Sequence, residues 1–286
     1  MQKQQFGFTN EEILNVPTVY ANDLFKNKTV LISGAGSGIG KACAVLFARL
    51  GANIVLCGRT EEKLLKTEAL ISEFAGQHLS VPMTIRDPEQ VTALMDTVWE
   101  KYGQLDLLLN NGGGQFPQAA IDFSVKGWNA VIDTNLNGSW YMMQSAARKW
   151  VSYKQEGSII SIVAAFARGM PGIAHTCAAR AAVTYLSKTL AVEWAEHKIR
   201  VNCVAPGCVE TEGFGVYPDE GRESFSRSNP MLHVGDAHDI AEACVYLAAS
   251  SGKFITGELL TIDGGQQQWG DAWPAGKPDY FKIAGE

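Results

Sequence analysis

Residues Ser33 to Gly40 read SGAGSGIG, a composition that can hold phosphate. Gly34, Gly38 and Gly40 permit a tight turn and a close backbone approach, with Ser37 and Ile39 beside them. A helix starting behind such a loop offers free N–H groups and the positive end of its dipole to an anion. A glycine string alone can be a mere turn, but this one joins an apolar run to a helical pattern, which points to a dinucleotide. A second signal is LCGRTEEK. Enzymes that use NAD place an acid at this strand end to hold the adenosine 2′-hydroxyl. Here Gly58 and Arg59 stand there, with no acid at 58. The planar fork of a guanidinium suits a 2′-phosphate, and Lys63 can assist. NADP(H) is therefore the expected cofactor, ahead of NAD(H). The plainer alternative for Arg59 is a solvated surface residue.

These groups need a scaffold to position them. KTVLISG is an apolar, β-branched run that ends in glycine, so it reads as a buried strand. IGKACAVLFARLGA follows with helical spacing. The alternation continues through NIVLCGR, EEKLLKTEALISEFAG, SVPMTI, PEQVTALMDTVWEKYG and LDLLLNNGGG. Next come the long helical region GWNAVIDTNLNGSWYMMQSAARKWVS, the strand GSIISIVA, the helix AARAAVTYLSKTLAVEWAEH, and the strands IRVNCVAPG and ELLTIDGG. Strands alternating with helices imply an α/β fold: a single-domain, Rossmann-type, doubly wound parallel sheet with helices on both faces. We divide the chain into a polar N-terminal arm (1–27), this domain (28–265) and a C-terminal strap (266–286) rich in Trp, Gly and Pro.

Composition narrows the function. The chain has 286 residues, 46% hydrophobic and 19% charged, with a net charge of -6; this is the profile of a folded domain with a large core. No basic cluster favours nucleic acid. Six scattered cysteines lack zinc-binding spacing and suit a reducing compartment, so no metal is expected. The N-terminus lacks the apolar run of a signal peptide. The longest apolar stretch, IISIVAAFA, is too short to span a bilayer, and the terminal AGE is not a peroxisomal address. A cytoplasmic location, away from membranes, is expected.

With these motifs in view, the chain resembles the short-chain dehydrogenase/reductase family over roughly residues 24–268. GAGSGIG is similar to the family's TGxxxGxG, with Ser33 in place of Thr. NNGGG is similar to its NNAG, which implies that Asn110 and Gly112 border the adenine ribose. TNLNG is similar to the segment that holds the family's active-site Asn, here Asn135. APGCVET is similar to its PG motif, which implies that Pro206, Gly207 and Thr211 hold the nicotinamide amide. NNGGGQFPQAA, AARA and LAVEWA resemble peroxisomal trans-2-enoyl-CoA reductases, with similar stretches in 2,4-dienoyl-CoA reductases and citronellol-type dehydrogenases.

The resemblance exposes a gap. Family members that act on ketones and alcohols use a Tyr and a Lys four residues later; the Tyr donates a proton to the forming alkoxide. The matching positions here are Thr176 and Arg180, and the family's Ser falls at Ala164, or at Val163 if the alignment slips by one. None of the eight tyrosines is followed by Lys at the fourth residue, so the loss does not depend on alignment. Reducing a 2-enoyl thioester sends hydride to the β-carbon and makes an enolate, whose charge hydrogen-bond donors can stabilise; water can then protonate the α-carbon. Thr176 offers a hydroxyl, and Arg180 offers a fixed cation for ribose that cannot shuttle protons. The dienoyl-CoA reductases keep an upstream Tyr that matches Phe166 here, which counts against dienoyl substrates. A helix cap is the alternative for Thr176, and a loop position is expected for His175. Reduction of an enoyl thioester is thus the expected activity. An alcohol dehydrogenase and a non-catalytic NADP-binding scaffold are the alternatives.

Two further expectations concern substrate and assembly. Between Cys208 and Val234 the sheet pattern is interrupted, as where a lid closes over substrate. Phe214, Tyr217, Phe225 and Met231 would line an apolar channel for an acyl-thioester or alcohol, and Arg222 and Arg227 could meet CoA phosphates. Segments around Trp128–Trp150 and Ala178–His197 carry apolar residues on several faces, among them Val131, Met142, Val183 and Leu190. Such helices need partners on both sides, and the resemblance implies a homodimer doubled into a homotetramer.

Overall fold

The computed structural model describes residues 6–165, 167–216, 219 and 224–269. Its centre is a parallel sheet of seven strands: β1 (Thr29–Ser33), β2 (Asn53–Gly58), β3 (His78–Pro82), β4 (Leu107–Asn110), β5 (Gly157–Ile162), β6 (Ile199–Pro206) and β9 (Leu259–Ile262). The order is β3-β2-β1-β4-β5-β6-β9, and β7 (Val209–Glu210) pairs separately with β8 (Gly235–Asp236). The chain runs outward from β1 in one direction and from β4 in the other. In such sheets ligands bind outside the carboxyl ends of the strands at this reversal.

Strand alternation splits the apolar residues into two cores. Val30 and Ile32 face α2 (Gly38–Arg49), α3 (Glu61–Ile71) and α8 (Ala237–Ala248). Leu31 faces α4 (Pro88–Tyr102), α6 (Ser139–Tyr153) and α7 (Ala174–Glu193). Caps set the helix ends: the Asp87 carboxylate accepts from the N–H groups of Glu89 and Gln90, Pro88 begins α4, and Gly103 ends it in the left-handed conformation. Trp150 is fully buried and donates its indole N–H to the Leu105 carbonyl, 2.6 Å away.

Three sequence readings change. The long helical region is α5 (Val125–Ile132) and α6 joined by a π-helical turn, Asp133–Gly138. Helix α7 begins at Ala174, so His175 lies in its first turn rather than in a loop. Val131, Met142, Val183 and Leu190 are buried within the chain's own cores, so they are not available to a partner. The exposed apolar residues of these helices include instead Val125, Trp128, Val151, Tyr153, Tyr185 and Val192.

The arm is tied down. It holds a short helix, α1 (Asn10–Asn15), with a capping box between Thr9 and Glu12, and Ile13 enters the core. Arg49 donates to the Val16 carbonyl at 2.9 Å, and the Tyr20 hydroxyl donates to the Glu242 carbonyl at 3.0 Å. At the other end, Gln266 and Trp269 close a turn on Asp263 and Gly265. The rest of the strap, with Tyr217, Arg222 and Phe166, lies outside the described residues.

Candidate active site

A cleft of about 320 Å³ opens at the sheet's reversal, lined by Gly34, Ser37, Ile39, Arg59, Lys63 and Gly112 among others. The glycine loop adopts the shape that the composition implied: Gly34 and Gly38 have φ of 66° and 53°, the left-handed region that favours glycine. At Gly40 a Cβ would overlap the Gly34 carbonyl oxygen and the Asn111 side chain. Ser37 caps α2 with extended backbone and spends no side-chain bond on the helix, which leaves its hydroxyl for an anion. Arg59, Lys63 and Arg86 bring three cations to the cleft, and no carboxylate among the described residues lines it. These residues fit the phosphates of a dinucleotide.

Some expected residues sit elsewhere. Asn110 is buried and stands behind the cleft; its amide donates to the Ser139 carbonyl at 3.3 Å and ties β4 to α6. Its neighbour Asn111 lines the cleft instead. The Asn111 amide donates to the carbonyls of Ser33 and Gly34, both at 3.1 Å, while the Ser33 hydroxyl accepts from the N–H groups of Asn111 and Gly112. Pro206 ends β6, and the Gly207 N–H donates to the Ile262 carbonyl at 2.9 Å; of the PG motif only Thr211 reaches the cleft wall. Sequence reasoning missed Asn111, Thr84 and Arg86. Arg86 lies just past β3 and donates to the Thr134 hydroxyl and to the Ala130 carbonyl. Its strand-end position was the available signal.

Asn135 and Arg180 meet at Gly113, a residue of the cleft wall. Asn135 sits in the π-helical turn, a local distortion common at functional sites. Both ends of its amide engage Gly114: Nδ2 donates to the Gly114 carbonyl and Oδ1 accepts the Gly114 N–H, each at 3.0 Å. Asn135 therefore shapes the wall of the site. Arg180 is 8% exposed and donates Nη1–H to the Ile162 carbonyl at 2.7 Å. Its other amino group lies against Gly113, where any Cβ would overlap it. Burial lowers the guanidinium pKa to about 10, which leaves it cationic at neutral pH.

Thr176 lies one turn before Arg180 on α7 and is 3% exposed. It is not the helix cap, because Ile173 holds that position. Its Oγ1 finds no hydrogen-bond partner among the described residues. His175 is fully buried. Its ring stacks on Phe123, with centroids 4.4 Å apart, and meets Phe116 edge-on at 4.7 Å. Burial holds its pKa below the usual histidine value.

In the expected lid, Phe214 and Phe225 touch edge to face at 5.1 Å. Met231 is exposed rather than turned into a channel, and Arg227 is also exposed. The root of the lid is clamped: the Glu212 carboxylate accepts from the Gly38 N–H at 2.8 Å and from Lys41 at 2.7 Å.

Known proteins share this fold. The family model described as enoyl-(acyl carrier protein) reductase matches residues 34–267. A Bacillus subtilis protein named probable 2,4-dienoyl-CoA reductase is 36% identical over 254 residues, spanning 87% of this chain and 99% of the relative. A short chain dehydrogenase from Bacillus anthracis has a solved structure with a TM-score of 0.77 and 39% identity, covering 84% of this chain and 96% of its own. The citronellol catabolism dehydrogenase AtuB of Pseudomonas aeruginosa gives a TM-score of 0.79 at 34% identity, covering 88% and 99%. The match runs from the glycine loop through the last strand, and on that basis the chain belongs to the short-chain dehydrogenase/reductase family and is an oxidoreductase.

Proposed function

We propose that this oxidoreductase uses NADP(H) to reduce the carbon–carbon double bond of a 2-enoyl thioester without a Tyr–Lys pair. The observation that carries the reading is Thr176 Oγ1, a buried hydroxyl at the head of a helix with no partner among the described residues. A buried polar group left unpaired is costly, and the cost is removed when a ligand meets it. When bound, the reduced nicotinamide supplies the hydride that adds to the β-carbon. Thr176 donates to the thioester oxygen, where the enolate charge gathers, and the positive end of α7 favours the same charge. Arg180 holds the ribose hydroxyls as a permanent cation. The α-carbon takes its proton from water.

Preference for NADP(H) over NAD(H) is supported by Arg59 and Lys63 beside the adenosine end and by the cleft's lack of carboxylates among the described residues. Similarity to a protein named for dienoyl-CoA reduction and to one named for citronellol catabolism keeps a dienoyl-CoA and a terpenoid alcohol as alternatives. Following NADPH absorbance with crotonyl-CoA, a longer enoyl-CoA, a 2,4-dienoyl-CoA and citronellal separates them. Consumption only with citronellal would reject the thioester reading, and consumption with none would favour a non-catalytic scaffold. Assembly into a dimer or tetramer is supported by the exposed Tyr185 and Val192, seven residues apart on one face of α7.

A further inference from the structure

His175 was not among the expected site residues, yet its surroundings are unusual. The Nδ1 atom accepts the backbone N–H of Thr176 at 2.8 Å, so the ring proton belongs on Nε2. That atom is buried and finds no hydrogen-bond partner among the described residues. The next residue, Thr176, carries the other orphan donor at the head of α7. Side chains in a helix lean toward its N-terminus, so these two, both in the first turn, lean past the same helix end. The walls around the imidazole, Phe116 and Phe123, come from the segment that follows Gly113, and Gly113 lines the cleft. Gln118 fastens that segment to the entrance of α7 by donating its N–H to the Gly172 carbonyl at 2.8 Å.

We infer that His175 is a second catalytic residue, whose Nε2–H joins the Thr176 hydroxyl in donating to the substrate's thioester oxygen. Sites that stabilise an oxyanion commonly use two donors, and an uncharged imidazole at a helix N-terminus can polarise a carbonyl without giving up its proton. The histidine keeps its hydrogen throughout, and the α-carbon is still protonated by water, so the balance of the proposed reaction is unchanged. No charged side chain contributes to the lowered pKa of His175; burial drives it and the Ile173 backbone opposes it.

The inference rests on the enoyl-thioester reading. Turnover of crotonyl-CoA by the wild type tests that reading by itself, and the variants test His175. His175→Phe keeps an aromatic ring, one atom larger, between Phe116 and Phe123 and removes both nitrogen atoms. The Thr176 N–H keeps its bond to the Ile173 carbonyl at 3.0 Å. The expected result is a folded protein, NADPH affinity within about twofold of wild type, and kcat lower by about ten- to a thousandfold. His175→Gln, which retains a donor, should recover part of the loss. The wild-type kcat should stay flat from about pH 6.5 to 8.5, since the donor does not titrate there. Full kcat in a folded His175→Phe enzyme would overturn the inference and leave the histidine as packing. A wild-type kcat that falls as pH rises through neutrality would also overturn it, because an imidazolium acid would then be the active form.

Discussion

Arg180, on α7, donates Nη1–H to the carbonyl oxygen of Ile162, the last residue of β5, across 2.7 Å. The bond fastens a buried cation to the end of a strand that leads into the active site. Arg180→Met should leave that carbonyl unpaired and cost about 1–3 kcal/mol of stability, read by urea unfolding. Dinucleotide affinity should fall with it. Unchanged affinity in the folded variant would remove Arg180 from ribose binding.

Thr176→Val should separate stability from catalysis. A capping hydroxyl would cost about 1 kcal/mol when lost, but this hydroxyl caps nothing. The valine variant should melt at or above the wild-type temperature and still reduce enoyl-CoA about ten- to a thousandfold more slowly. Thr176→Ser should keep most of the rate. Wild-type turnover by the valine variant would leave the enolate to other donors.

Cofactor choice is tested at Arg59. Arg59→Ala should weaken NADPH binding about ten- to a hundredfold, as for loss of a charge-assisted phosphate contact, and spare NADH. Fluorescence titration gives both constants. Tighter binding of NADH by the wild type would reverse the assignment.

Acid should destabilise the fold through its histidines. The pKa values of His175 and His78 are both held below the usual histidine value, chiefly by burial. The unfolded chain therefore takes up protons first. The stabilisation they give is complete above the unfolded pKa and is lost as pH falls from there toward the folded values. His175→Phe should flatten part of this dependence in urea midpoints measured between about pH 7 and pH 5, and His78 should account for part of the remainder. An unchanged slope would mean that His175 is protonated as readily in the fold as in the unfolded chain.

Assembly is tested on α7. Tyr185→Glu with Val192→Glu should convert an oligomer to a monomer in light scattering at micromolar concentration. A monomeric wild type would instead mean that these two side chains face only solvent.

The sheet was legible because its central strands are buried on both faces and read as unbroken Val, Ile and Leu runs. The head of α7 was not. Its cap is Ile173, with φ of −135° and no side-chain bond, so the Ser, Thr, Asn or Asp that announces a helix start is missing. Thr176 is the nearest such residue, which makes a cap the natural alternative for it, but it lies inside the helix. The π-helical turn at Asn135 escaped for a related reason: it has no marker residue, and its inserted residue only shifts the apolar phase within a longer helical pattern. The glycine loop and the placement of Arg59 and Lys63 at the cleft could be read from local pattern. Asn111, Arg86 and the rings around His175 act across the sheet reversal or between distant segments, and short-range spacing carries no trace of such contacts.

The arm has a consequence for the order of folding. Gly7 donates its N–H to the Glu210 carboxylate at 3.0 Å, and Tyr20 reaches Glu242; the partners are 203 and 222 residues apart in sequence. These two contacts of the arm form only once Glu210 and Glu242 are in place. Contacts of such long range form slowly. The full fastening of the arm, as distinct from its packing on α2, is therefore a late step of folding.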